Sequence, residues 1–183
     1  MNNENLYTDT DLIARCRRGE PQAQFMLYRQ FSKAMYNIAI RFTNNRMDAE
    51  DILQDAFVAV FEKLPELISP ATFPAWLKRI VINRCIDEAR RKKLNFIELD
   101  EEFHDDTGQD EEEGFLPEPE VVHHAIRNLP DGGRTVLVLH ALEGYKHRDI
   151  ASMLGISEST SKTQYKRALE LLHKELKQKI YVR

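Results

Sequence analysis

The sequence predicts an all-α protein: two small helical domains joined by a flexible acidic linker, the second carrying a helix-turn-helix. Three observations carry that prediction. Apolar residues recur at helical spacing in nearly every segment of the 183 residues, and no strand-like alternation occurs. Charge is partitioned, with 15 Lys and Arg against 10 Asp and Glu in residues 11–93, 12 acids and no Lys or Arg in 94–120, and 11 bases against 6 acids in 121–183. Residues 146–160 then read as helix, turn, helix. Ile150, Ala151 and Leu154 form one apolar face, Gly155 can take the positive φ that ends a helix, and Ser157 is a good N-cap for the next.

The elements follow in order. Leu12 and Ile13 open a short helix behind Thr8, Asp9 and Thr10, and Gly19 breaks it. Pro21 fits the first turn of a second helix, whose Phe25, Leu27, Tyr28, Phe31, Met35, Ile38, Ala39 and Phe42 place it at the centre of the core. Asn44-Asn45 is a turn signal. A third helix starts near Asp48 and runs through Ile52, Leu53, Ala56, Phe57, Val60, Phe61 and Leu64. Residues 65–74 read as a loop, because Pro65, Pro70 and Pro74 oppose a continuous helix. A fourth helix is expected from Ala75 to Arg91. Residues 94–120 combine acids with Gly108, Gly114, Pro117 and Pro119, the composition of a flexible linker. Helices are expected over 121–129, 135–142, 146–154 and 157–177, with 130–133 and 143–144 as punctuation.

Composition excludes several classes. No apolar run approaches the ~20 residues that span a bilayer, and residues 1–9 carry no signal-peptide core, so the expected setting is cytoplasmic, without membrane insertion. Cys16 and Cys85 are far apart and outside any CxxC, the pattern of reduced thiols. His104, His123 and His124 fit no zinc spacing, and no GxSxG or glycine-rich phosphate loop is present. Neither a cofactor, a metal nor an enzymatic activity is expected. The net charge of −4 would argue against a polyanionic partner if spread evenly, but two basic blocks flanking an acidic tether suit contact with phosphates at two places.

Three residue sets could carry function. On the last helix, Tyr165, Leu169, Leu172 and Leu176 make an apolar stripe expected to pack inward. That leaves Ser159, Thr160, Lys162, Thr163, Lys166 and Arg167 near its N-terminal end to meet base edges and phosphates, or simply to form a solvated face. On the helix 75–91, Arg79, Asn83 and Arg90 fall within about 40° of one another, with Phe73 and Trp76 close by for stacking. A solvated basic face with Trp76 in the core is the alternative. On the third helix, Asp48, Asp51 and Asp55 share a side, suited to a basic partner or, less readily, to a divalent metal.

Taken together, DAEDILQDAFVAVFEKL, then FPAWLKRIVINRCIDEARRKK, an acidic linker and a C-terminal helix-turn-helix resemble a bacterial RNA polymerase sigma factor of the extracytoplasmic-function (ECF) group, over about residues 8–178. The resemblance implies an 8–93 region 2-like domain, a 94–120 linker and a 121–178 region 4-like domain. It implies that Asp51, Gln54 and Asp55 contact the β′ clamp helices of core polymerase. The loop 64–73 would capture a flipped base of the −10 element, and the line of Phe73, Trp76, Arg79, Asn83 and Arg90 would hold its non-template strand. Ser159, Thr160, Lys162, Thr163, Lys166 and Arg167 would read the −35 element, the second domain sitting on the β flap. An anti-sigma factor is a further partner the resemblance allows. After the turn the family's usual run resembles GTVKSRLxRA, and here it is STSKTQYKRA: Ser161 stands at a buried Val position and Gln164 at that of an Arg often near DNA.

The expected function is therefore promoter recognition and transcription initiation with core polymerase. At ~3.3 Å per residue the 27 residues of 94–120 reach roughly 90 Å, against ~70 Å for two turns of DNA. A stand-alone helix-turn-helix regulator is the alternative reading, and a metal-dependent helical hydrolase using Asp48 to Asp55 a more distant one.

Overall fold

A computed structural model describes residues 9–92 and 118–180, so of the linker expected over 94–120 residues 94–117 lie outside the described residues, and its last two, Pro119 and Glu120, are the first turn of a helix instead. All regular structure among the described residues is helical. The chain divides into two compact units, with the division at Glu88 and Ala89.

The first unit is built on α1 (Asp9–Arg17), α2 (Pro21–Thr43), α3 (Arg46–Lys63) and all but the last turn of α4 (Phe73–Arg91). Pro21 opens α2, as its fixed φ favours. The Asn44-Asn45 turn works by two devices. Asn44 takes a left-handed φ of 48° and returns its N–H to Ile40 O at 3.0 Å. The Asn45 side chain then accepts from the amides of Met47 and Asp48 at 2.9 and 3.3 Å, so α3 starts two residues before Asp48. Leu27 of α2, Val60 of α3, Leu64 just after it, and Leu77 and Val81 of α4 are fully buried. Phe25 departs from the expected core: it is 60% exposed, beneath the Arg29 guanidinium at 5.9 Å from the ring centroid.

The loop expected over 65–74 is more ordered than its prolines suggest. Pro65 and Pro70 each occupy the first turn of a short 3-10 helix (Leu64–Glu66 and Pro70–Thr72), where a missing N–H costs nothing. Pro74 lies in the first turn of α4, which begins at Phe73. From α1, Arg17 donates to Leu64 O at 3.2 Å and to Leu67 O, fixing this segment at its base.

The second unit comprises α5 (Pro119–Arg127), α6 (Asp131–Leu137), α7 (His147–Leu154) and α8 (Glu158–Ile180). Residues 131–133 are helix, not turn. Gly132 and Gly133 are buried, and a Cβ on Gly133 would stand 3.3 Å from Ala168 Cβ and 3.6 Å from Gln164 O. Glycine there lets α6 and α8 approach closely. Arg134 is 2% exposed, and its guanidinium donates to Leu129 O at 2.8 Å and to the Asp131 carboxylate, so its buried charge is compensated. A single π turn (Val138–Leu142) follows α6, with Glu143 N bonding back to Val138 O at 3.0 Å.

The inward stripe of α8 is displaced from the expected one. Ser161, Gln164 and Ala168 are the buried positions, at 0%, 6% and 1% exposure, whereas Leu169 is 41% exposed. Tyr165, Leu172 and Leu176 are half-buried at the edge of the seam. Close packing against Gly133 selects small or slender side chains, which the apolar periodicity of the leucines does not reveal.

Candidate nucleic-acid interface

The turn between α7 and α8 is set by two residues. Gly155 adopts φ 69°, and Ile156 N reaches back to Ala151 O at 3.1 Å. Ser157 Oγ then accepts from Thr160 N at 2.9 Å, capping α8, and lies 2.7 and 2.8 Å from the hydroxyls of Ser159 and Thr160. Beyond this cap Ser159, Lys162 and Lys166 are exposed, and Thr160, Thr163 and Arg167 are half-buried. All six lie off the Ser161–Gln164–Ala168 seam. Lys162 pairs with Glu158 at 2.8 Å, and that hydrogen bond holds the Glu158 carboxyl below the usual carboxylate range. Gln164 does not join them: its side chain is buried beside Gly133. Ser161 Oγ lies 3.0 Å from His147 Nδ1, so the hydroxyl at the buried Val position has a partner. Burial, then the neighbouring His140 and Lys162, push His147 below the ordinary imidazole range, against the opposing pull of Glu158.

Along α4, Arg79, Asn83 and Arg90 are exposed, away from the buried Leu77, Val81, Cys85 and Ala89. Trp76 is half-buried next to them. Phe73 corrects the stacking expectation: at 1% exposure its ring lies in the core, edge-on to Phe31 at 5.2 Å and tilted against Trp76 at 6.1 Å. It braces Trp76 and offers no face to a base. Between the two 3-10 turns, Ile68 is 99% exposed, a large apolar residue on a turn fixed at its base by Arg17. Isolated in a proline-rich loop, it gave no periodic signal.

On α3, Asp51, Gln54 and Asp55 are exposed, while Ala49, Ile52, Leu53, Ala56 and Phe57 face inward. Met47 (73% exposed) and Val58 (58%) fall on the same outward arc. Their spacing of 4 and 7 residues from Asp51 could have found them, had acidity not been the only signal followed. This face combines carboxylates with apolar contact area, which suits a protein partner better than a metal ion. Among the described residues no group of three or more His, Cys, Asp or Glu could hold a metal, and no helix is long and apolar enough to cross a membrane.

Comparison with known proteins bears on these surfaces. The Sigma-70 region 2 model matches residues 27–94 and the Sigma-70 region 4 model residues 120–172. The ECF RNA polymerase sigma factor SigW of Bacillus subtilis is 31% identical over 178 residues, covering 90% of this chain and 95% of that protein. The ECF RNA polymerase sigma factor SigE of Mycolicibacterium smegmatis is 30% identical over 157 residues, and the chain spans 58% of its length. Among solved structures, the sigma factor RpoE of Bartonella quintana, in complex with the anti-sigma factor NepR, aligns with a TM-score of 0.50 at 21% identity, over 82% of this chain and 94% of that one.

Proposed function

Because this chain belongs to the sigma-70 family of RNA polymerase sigma factors, in its ECF group, we propose that its two units divide promoter recognition between them. Residues 8–93 act as the unit that binds core polymerase and the −10 element, 94–120 as the tether, and 121–178 as the −35 reader. The observation that supports this division is the capped, glycine-turned α7–α8 pair in the same chain as an exposed line of Arg79, Asn83 and Arg90. Two DNA-facing surfaces on one chain are what a factor needs to contact a promoter at two places.

At the −35 site, Ser159, Thr160, Lys162 and Thr163 approach base edges, while Lys166 and Arg167 meet phosphates, with the N-terminal dipole of α8 adding to the attraction. At the −10 site, Arg79 and Arg90 neutralise the phosphates of the separated strand, Asn83 supplies a hydrogen bond, and Trp76 a stacking edge. Ile68 stands where an extruded base would leave the stack. Asp51, Gln54 and Asp55, with Met47 and Val58, dock on the β′ clamp helices; the second unit sits on the β flap. The factor supplies specificity and strand stabilisation without catalysis of its own, works in the cytoplasm, and is open to restraint by an anti-sigma factor.

Transcription in vitro with core polymerase on genomic fragments, followed by start-site mapping, tests the reading. Initiation at discrete sites that depends on the factor is expected. Strong operator binding by the isolated protein, unaffected by core polymerase, would establish a stand-alone regulator instead.

A further inference from the structure

Behind the DNA-facing side of α7 and α8 lies a side-chain cluster that promoter contact does not use. His140, in the π turn that ends α6, and His147, the first residue of α7, lie ring on ring at 4.1 Å with 25° between their planes. Tyr165 of α8 stands edge-on to both, at 4.7 and 5.5 Å. Each imidazole is also tethered through Nδ1, His140 to Tyr145 O at 2.7 Å and His147 to Ser161 Oγ at 3.0 Å. A carbonyl can only accept, so His140 carries a proton on Nδ1. Three separate elements thus meet at one stacked pair, and Ser161, the α8 anchor, is fully buried.

We propose that the stacked His140–His147 pair positions recognition helix α8 against α7 and holds it only while His147 is uncharged, making −35 contact sensitive to acid. The inference rests on the sigma-factor reading of α8. Face-to-face packing at 4.1 Å suits a neutral His147, whereas a proton on it would put a positive charge where burial and the neighbouring His140 oppose it. The groups facing His147 are His140 from the π turn and Glu158, Lys162 and Tyr165 from α8, with Arg148 on its own helix beside Glu158. Lys162 adds to the repulsion. Glu158 opposes it, but its carboxylate is already engaged by Lys162 at 2.8 Å.

The sign follows from linkage. Imidazole ordinarily titrates near 6.5, and in the folded chain His147 lies below that. The unfolded chain therefore takes up the proton first as pH falls. The stability of the cluster is complete above the ordinary value and declines as pH drops from there toward the folded one.

The test uses the full chain bound to core polymerase on promoter DNA, with footprints of both elements at about pH 8 and about pH 5.5. Wild-type protection of the −35 element should weaken at the lower pH relative to that of the −10 element. The double variant H147F/S161V, which keeps an aromatic at position 147 without its charge and removes the orphaned hydroxyl, should lose that acid response. An equal acid response in both proteins, or none in the wild type, overturns the proposal. Imidazole carbon-13 titration of the free full chain supplies a readout independent of DNA and of the variant's folding. His147 should titrate below the ordinary value, and titration at or above it overturns the proposal. Absence of any −35 footprint at the higher pH would count against the sigma-factor reading, while the His147 titration would still decide the clamp.

Discussion

Ser157→Ala isolates the cap that sets the first turn of α8. Ser157 Oγ receives the Thr160 amide at 2.9 Å, one of the helix-start donors with no partner inside the helix. Losing such a cap costs about 1 kcal/mol, within a range of roughly 0.5–2. The nearby hydroxyls of Ser159 and Thr160 add little, because all three groups reach water and can bond there instead. For a unit of the order of 60 residues, 1 kcal/mol corresponds to about 4–8 °C in Tm. Calorimetry of the full chain should show that loss in the transition of the second unit, with the first unmoved. Hydrogen exchange at the Thr160 amide should accelerate about fivefold, the factor corresponding to 1 kcal/mol. Ser157→Asp should restore both, since a carboxylate caps equally well and meets the positive end of the helix dipole. A Tm change under about 2 °C, half the smallest shift expected, together with unchanged Thr160 exchange would refute the cap as the origin of the α8 start.

Reversing Asp51 and Asp55 to Lys should abolish co-purification with core polymerase while leaving circular dichroism unchanged, because both side chains are exposed on α3; retained affinity would remove the acidic face from the interface. Replacing Arg79 and Arg90 by Ala should weaken binding to a single-stranded −10 oligonucleotide, with the slope of log affinity against log salt falling by about 0.7 per lost phosphate contact. Phe73→Ala should cost about 3–5 kcal/mol in denaturant unfolding, as expected for a core aromatic, given its 1% exposure. Trp76→Ala, at a half-buried position, should cost less stability yet impair strand opening more, as read by permanganate reactivity of −10 thymines.

The helices were legible because their ends are written in local chemistry. Pro21 starts α2 through its fixed φ, while Asn44-Asn45, Gly155 and Ser157 each stop or start an element through a hydrogen bond. The misreadings share a different cause. Residues 130–133 read as a turn because Gly and Pro favour turns in isolation, yet α6 uses Gly133 for close approach to Ala168. That requirement comes from a helix more than thirty residues away. Phe73 reads as a stacking residue by proximity to a basic helix, and Phe25 as core by periodicity. Phe73 is instead packed edge-on against Phe31, more than forty residues earlier in the chain, and Phe25 lies exposed beneath Arg29. The exposed basic line of Arg79, Asn83 and Arg90 was legible because a single helix fixes the phase of all three.

Ser161 and Gln164, the two departures from the family's usual run after the turn, are the buried polar residues of α8. A buried hydroxyl without a partner would weaken the helix against α7, but His147 meets it at 3.0 Å. A glutamine at an arginine's position would remove a DNA contact if it pointed outward, but it is 6% exposed, beside a glycine that leaves room for the backbone approach. The substitutions therefore act on the seam and leave the reading face intact. On the function proposed above, base preference then falls to Ser159, Thr160, Lys162 and Thr163, with Lys166 and Arg167 on the phosphates. A change at Gln164 should register first as lost stability of the second unit, and only through that as altered promoter choice.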